Sequence, residues 1–224
     1  FRELRAELKT AGHTFRSFSD TEVLLHLYDR YGHAMVERIR GMFALAIHDR
    51  EKGGIFLARD GFGIKPLYYT DDGKSIRFAS QVKALLAGGG LDTSPSAAGH
   101  AGFYVWGYVP EPWTMFKNIH ALPAGSTLWI NKNGHAAPYR YFDVIAELEA
   151  ADNGSDNWSQ DDLRHALLET LKYHLVADVP VGTFLSAGLD SATIVGLASE
   201  IKTDALHSIT LAFEEFKGTQ FDEA

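Results

Sequence analysis

Cysteine is missing from all 224 residues, which excludes disulfide cross-links and any thiol nucleophile within this chain. Metal-ligand spacing is missing too: none of the ten histidines falls in a pattern such as His-Glu-x-x-His. His48 on a strand, and His165 and His174 on a helix surface, carry no assigned role. Positive charge is scarce, with 21 Lys and Arg against 29 Asp and Glu. The resulting formal charge of −8 leaves no basic face and argues against nucleic acid as a partner. No apolar run approaches the length that spans a bilayer, so no membrane partner is expected. Phe1-Arg2-Glu3-Leu4 opens directly into an amphipathic helical pattern rather than a signal peptide, and the expected location is cytoplasmic. A start at Phe1 and an end at Ala224, just past a strand, are read as the limits of a segment cut from a longer protein.

What is present suffices for one large or two small domains, since 46% of the residues are hydrophobic. Leu4 and Leu8 mark a first helix that stops at Gly12. Ser19-Asp20-Thr21-Glu22 fits a capping box that opens a second, and a third short helix is expected near Met35 to Arg40. The period then changes to two. Phe43, Leu45 and Ile47 turn through Gly53-Gly54 into Ile55, Leu57 and Arg59, and a second hairpin turns at Asp72-Gly73. Helices at 81–86 and 95–108 and a last hairpin around Asn133-Gly134 complete a domain over residues 1–148. Residues 149–158 lack periodicity and read as a linker. Over 159–224, Ser159 caps a long helix with Leu163, Leu167, Leu171 and Leu175 inward. Strand, turn, helix and strand (Leu206 to Phe213) follow, the start of a parallel α/β domain.

Residues 180–191 are the most informative stretch. Val179, Val181, Phe184 and Leu185 read as a buried strand that breaks at Ser186-Ala187-Gly188 and resumes as a helix from Asp190. A strand, a turn of small residues and a helix N-terminus make an anion site, because free backbone N–H groups and the positive end of the helix dipole point into the turn. The hydroxyls of Ser186 and Ser191 add donors, and Asp190 places a carboxylate where a Mg²⁺ bridging phosphate oxygens would use it. No Gly-Lys-Ser/Thr closes the loop, so it is not of the Walker type.

Ser186 to Ser191 resembles the pyrophosphate loop of the N-type ATP pyrophosphatases, Ser-Gly-Gly-x-Asp-Ser. The chain as a whole resembles the glutamine-hydrolysing asparagine synthetases and their amidotransferase relatives. The likeness rests on residues 1–8, on 19–25 around Asp20, on 40–46 and on Leu57 to Tyr69 with Arg59-Asp60-Gly61-Phe62-Gly63. Phe78-Ala79-Ser80, Leu122-Pro123-Ala124-Gly125 and the loop itself continue it in the family's order. The resemblance implies an αββα N-terminal-nucleophile glutaminase domain followed by a parallel α/β adenine-nucleotide hydrolase-like domain. It implies ammonia release from glutamine, and activation of aspartate by ATP and Mg²⁺ as an acyl-adenylate with loss of pyrophosphate. A homodimer is the candidate assembly.

Carried over position by position, Asp20 takes the glutamine α-amino group, its other reading being a carboxylate favoured by the helix dipole. Leu185, Ser186, Ala187, Gly188, Leu189, Asp190 and Ser191 line the ATP pyrophosphate, with Asp190 on the metal. Leu185 and Leu211 stand on the adenosine side, and both are equally explained as buried strand residues. The Arg59, Asp60, Gly63, Lys65 and Pro66 motif is read as structural. The family's catalytic cysteine, carboxylate-binding arginine and oxyanion-hole Asn-Gly have no counterpart in this chain, so it is not expected to hydrolyse glutamine alone. Ala187 replaces a usual glycine, a change costing roughly 1 kcal/mol if φ must be positive and nothing otherwise. Gly61 and Gln81 stand where many relatives carry charge. The acceptor alternatives are another carboxylate, such as an acidic sugar or a β-amino acid precursor. A non-catalytic nucleotide-binding descendant is the alternative from outside enzymology.

Overall fold

The computed structural model describes residues 1–152, 158–202 and 205–222. The chain divides into two units, Phe1–Asn153 and Gly154–Ala224.

The first unit begins with α1 (Arg2–Thr10) and α2 (Asp20–Tyr31), which bury Leu8, Val23 and Leu27. The expected third helix is a 3₁₀ segment, Gly32–Arg38, that buries Met35 and Val36. Next come β1 (Ala44–Asp49), β2 (Gly54–Arg59), β3 (Tyr68–Asp71), β4 (Ile76–Ala79), α3 (Val82–Ala87) and α4 (Ala97–Trp106). After them run β5 (Ile119–Ala121), β6 (Ser126–Asn131), β7 (Gly134–His135), β8 (Tyr139–Arg140) and α5 (Val144–Asp152). Strands β1, β2, β6 and β7 form one antiparallel sheet, with β8 also on β6, and β4, β3 and β5 form another.

Two cores define the layers. Leu8, Val23, Leu27, Met35 and Val36 pack on Leu45, Ile47, Phe56 and Ala58, which puts the helices on one face of the larger sheet. Leu57, Leu128 and Ile130 of that sheet meet Leu67, Tyr69 and Leu122, so its other face covers the smaller sheet. Helix α3 lies against β3 and β4. Strand β2 is therefore buried on both faces, which is why its sequence lacks the clean alternation of β1. Burial of this kind is worth about 1.5–3 kcal/mol for each large apolar side chain.

The second unit contains α6 (Gln160–His174), β9 (Gly182–Phe184), α7 (Leu189–Ile201) and β10 (His207–Ile209). β9 and β10 pair in parallel from Gly182↔His207 to Ile209↔Phe184, with α7 as the crossover, and α6 packs on α7. Arg164 and Glu200 join those two helices by an ion pair.

Several expectations need correction. Helix α5 runs to Asp152, into the segment read as a linker, whose remainder from 153 to 157 lies outside the described residues. Ser19 accepts from Thr21 N rather than from the third helical residue, and Glu22 turns away from Ser19, so no capping box forms there. A full box does form at Ser159 with Asp162. Leu163 is exposed, while Leu167, Leu171 and Leu175 are half-buried. The strand expected to be buried has only three residues, and Val179 and Phe184 are exposed by 71% and 74%. The cause is partnership: among the described residues β9 is paired by β10 alone. β10 is likewise shorter than the Leu206 to Phe213 run.

Candidate functional site

The loop between β9 and α7 is organised by the Ser191 hydroxyl. It accepts from the Ser186 N–H at 3.1 Å, lies 3.0 Å from the Ser186 hydroxyl, and can donate to the carbonyls of Ser186 and Gly188 at 3.1 and 3.0 Å. The Gly188 N–H donates to Ser186 Oγ at 3.3 Å, which folds the turn back on itself. Gly188 is the residue before α7, and it supplies no side-chain cap. The N–H groups of Leu189, Asp190 and Ser191 therefore enter the first helical turn with no carbonyl four residues back to bond. That is the electrostatic arrangement of an anion site at a 13-residue helix.

A cavity of about 350 Å³ opens beside this turn. It brings together four of the expected residues, Leu185, Ser186, Ser191 and Leu211, with Phe184 and Ile209. Its remaining wall is Phe213, Phe216, Phe221 and Asp222, which sequence reasoning missed. Those rings contact edge-on in series, with centroids 6.1 and 6.2 Å apart. The only signal for them in the sequence was three phenylalanines after the last strand. Ala187, Gly188, Leu189 and Asp190 belong to the turn and the helix start rather than to the cavity lining. Among the described residues Asp190 accepts no hydrogen bond, and no group of three possible metal ligands exists. Among the described residues no non-glycine has positive φ, so Ala187 occupies ordinary backbone and its replacement of glycine costs nothing in conformation.

Asp20 sits at the first position of α2. One carboxylate oxygen accepts from the Thr21 N–H at 2.8 Å, and the other has no hydrogen-bond partner among the described residues. The turn that presents it is held from two sides. Arg5 of α1 donates to the carbonyls of Ser17 and Ser19 at 2.7 and 2.9 Å, with its guanidinium 4.4 Å from the Phe15 ring centre. Glu22 accepts from the N–H groups of Arg16 and Ser17 at 2.7 Å each and from the Ser17 hydroxyl at 2.6 Å. These bonds, the Arg16 amide first, hold the Glu22 carboxyl at about 2. Neither Arg5 nor Glu22 had been singled out for this task.

Arg59 and Asp60 of the conspicuous motif face inward, whereas Lys65 and Pro66 are exposed. Arg59 is 6% exposed and donates to the carbonyls of Lys65, Leu122 and Gly63 and to Glu111 Oε1, all at 2.5–2.7 Å. Asp60, also buried, accepts from the N–H groups of Phe62, Ile64 and Lys65 at 3.2, 2.9 and 2.9 Å. Gly61 lies under Phe142, whose ring a Cβ at that position would meet at 2.8 Å. A long charged side chain at 61 would need Phe142 to move.

Sequence comparison places these features among known proteins. The family described as "Glutamine amidotransferase domain" matches residues 1–142, and "Asparagine synthase" matches 162–224. "Asparagine synthetase [glutamine-hydrolyzing] 1" of Bacillus subtilis is 35% identical over 99% of this chain and 34% of its own length. "Putative asparagine synthetase [glutamine-hydrolyzing] 2" of Methanocaldococcus jannaschii is 33% identical over 88% of this chain and 38% of its own. The chain thus spans about a third of the length of the curated relatives it matches. Among solved structures, the B. subtilis glutamine phosphoribosylpyrophosphate amidotransferase aligns with 93% of this chain and 42% of its own, at a TM-score of 0.43 and 20% identity.

Proposed function

Because this chain belongs to the glutamine amidotransferase family and continues into an asparagine synthase segment, we propose that its parent protein is an ATP-dependent amidoligase fed with ammonia from glutamine. The acceptor in this reading is aspartate and the product asparagine, after the names of the relatives. The observation that carries the reading is the uncapped N-terminus of α7 beside a cavity with serine, aliphatic and aromatic walls.

The chemistry assigns a task to each group. A carboxylate resists attack by ammonia until one oxygen can leave as AMP, so ATP must be held with its α-phosphate next to the acceptor. The N–H groups of Leu189, Asp190 and Ser191 and the Ser186 hydroxyl take the pyrophosphate oxygens and the charge that grows on them. Leu185 and Leu211 bound the adenosine, with the phenylalanine series as further apolar wall. Asp190, a single carboxylate with no partner among the described residues, would hold the Mg²⁺ that accompanies ATP, and the ion would neutralise charge on the leaving group. In the first unit, Asp20 takes the glutamine ammonium through its open oxygen, with Arg5 and Glu22 fixing the turn.

Aspartate-dependent ATP–pyrophosphate exchange by the full-length protein tests the proposal. Exchange with aspartate supports it, exchange only with another carboxylate redirects the acceptor, and no exchange with any carboxylate overturns it.

A further inference from the structure

The first unit contains a cavity of about 400 Å³ that shares no residue with the α7 loop or the Asp20 turn. Tyr69 and Asp71 of β3 and His120 of β5 stand on the smaller sheet, and Ser126, His135 and Arg140 of β6, β7 and β8 on the larger. Asn118, whose amide donates to Asp92 at 3.1 Å, and Pro112, Pro123 and Pro138 complete the wall, and the fixed φ of the prolines gives it a shape that a ligand need not order. The volume suits a small metabolite.

Its polar groups are unequally committed. Asp71 accepts from the Gly73 N–H at 2.7 Å on one oxygen, and its other oxygen lies 3.5 Å from His135 Nε2, an ion pair only when that imidazole is protonated. His135 is occupied at its other nitrogen too, 2.8 Å from the Ala136 carbonyl. Ser126 donates to the Ala124 carbonyl at 3.3 Å. Arg140 spends one nitrogen on Asp143 at 2.7 Å, which leaves the rest of a five-donor guanidinium. Among the described residues His120 makes ring contact with Tyr69 at 5.8 Å and no side-chain hydrogen bond, and the Tyr69 hydroxyl makes none either. Tyr69 also meets His135 edge-on at 5.6 Å, so both imidazoles are fixed against one phenol ring. The open capacity is therefore mostly donor: guanidinium, imidazole N–H and phenol O–H.

We propose that this cavity is a binding site for a small organic or inorganic oxyanion, a carboxylate or a phosphate, clamped between Arg140, His120 and the Tyr69 hydroxyl. Burial pushes the His120 imidazole down, with His135 adding to the effect, and pushes the Tyr69 phenol up. Near neutral pH both are uncharged donors, and the positive charge comes from Arg140, set against the carboxylates of Asp71 in the wall and Asp143 beside it. The site is independent of the amidoligase reading, because nothing in it depends on glutamine, ATP or aspartate binding elsewhere.

Titrating the 224-residue chain with succinate and, separately, inorganic phosphate at constant ionic strength and pH 7.5 tests it, with chloride as the control. The histidine ring Cε1–H signals in NMR are the readout, and His120→Phe and His135→Gln identify the two that matter. Saturable shifts of both signals are expected, at a midpoint at least tenfold below any seen with chloride. Saturation by succinate assigns the site to carboxylates, and saturation by phosphate assigns it to phosphates. Arg140→Gln, at a half-exposed position, should raise the midpoint at least tenfold with the near-UV circular dichroism unchanged. His120→Phe, which keeps the ring, should raise it at least threefold. Linear drift with both probes, or one midpoint shared by wild type and Arg140→Gln, overturns the proposal.

Discussion

Two loops leave strands in this molecule and treat their polar groups in opposite ways. After β2, the run from Arg59 to Lys65 turns the Arg59 and Asp60 side chains inward, and their donors and acceptors find partners in the same unit. After β9, the run from Leu185 to Ser191 bonds its hydroxyls to one another and leaves backbone N–H groups and the Asp190 carboxylate open. Both carry conspicuous motifs. A motif whose hydrogen bonds are already made is a joint, whereas one with capacity left over is a place for a ligand. The contrast recurs within one turn of α2, where Glu22 is saturated and Asp20 keeps an oxygen free.

If that contrast is right, Arg59→Met should produce the largest effect of any single change discussed. It strands Glu111 and three carbonyls, at a cost of roughly 3–5 kcal/mol in urea unfolding of the chain. A loss below about 1 kcal/mol would erase the distinction between the loops. Asp20→Ala in the full-length protein should raise the glutamine KM about ten- to hundredfold, the worth of a charged hydrogen bond of roughly 1.5–3 kcal/mol. Ammonia-dependent synthesis should be nearly unchanged, and an equal fall in both activities would make Asp20 a structural cap. Asp190→Asn should lower ATP–pyrophosphate exchange about tenfold without moving the unfolding midpoint, while glutamine hydrolysis persists. Exchange within about twofold of wild type would leave the backbone alone to hold the phosphates.

Acid sharpens the comparison at Glu22. Its folded carboxyl titrates at about 2, below the reference 4.5, so its contribution is complete above 4.5 and fades as pH falls through 2. Amide exchange at Arg16 and Ser17 should accelerate over that window, with α6 as an internal reference. The smallest effect should come from Ala187→Gly. The residue lies outside positive φ, so glycine relieves no strain, and pyrophosphate exchange should stay within about twofold of wild type. A large gain would mean that the bound loop adopts a different backbone.

Local signals were the legible ones. Strand, turn and helix at Ser186 to Ser191 could be read directly because the proposed anion site is built from neighbours in sequence. The same holds for the box at Ser159, closed by Asp162 three residues later. Ser19 and Glu22 have an equivalent spacing, but Arg16 and Ser17 offer Glu22 two amides and a hydroxyl, a richer set than the Ser19 N–H alone. Burial was less legible. Hydrophobicity at Val179 and Phe184 says that a strand can be covered, not that these residues are. Tyr69, His120 and Arg140 are scattered over 71 positions and meet only because β3, β5 and β8 converge on one cavity.

The Arg59 joint also sets an order of events on the ribosome. Its guanidinium waits for Glu111 and the Leu122 carbonyl, and its own carbonyl waits for the Tyr141 hydroxyl, 82 positions downstream. Asp60 O receives the Gly125 N–H, and Gly61 receives the Phe142 ring. Before residue 142 has cleared the exit tunnel, β1 and β2 can pair and Arg59 can bond the nearby Gly63 and Lys65 carbonyls, but the joint stays incomplete. Synthesis supplies about 5–20 residues each second, so the nascent unit spends several seconds in that half-latched form. It closes in stages, at Glu111, then at Leu122 and Gly125, and last at Tyr141 and Phe142.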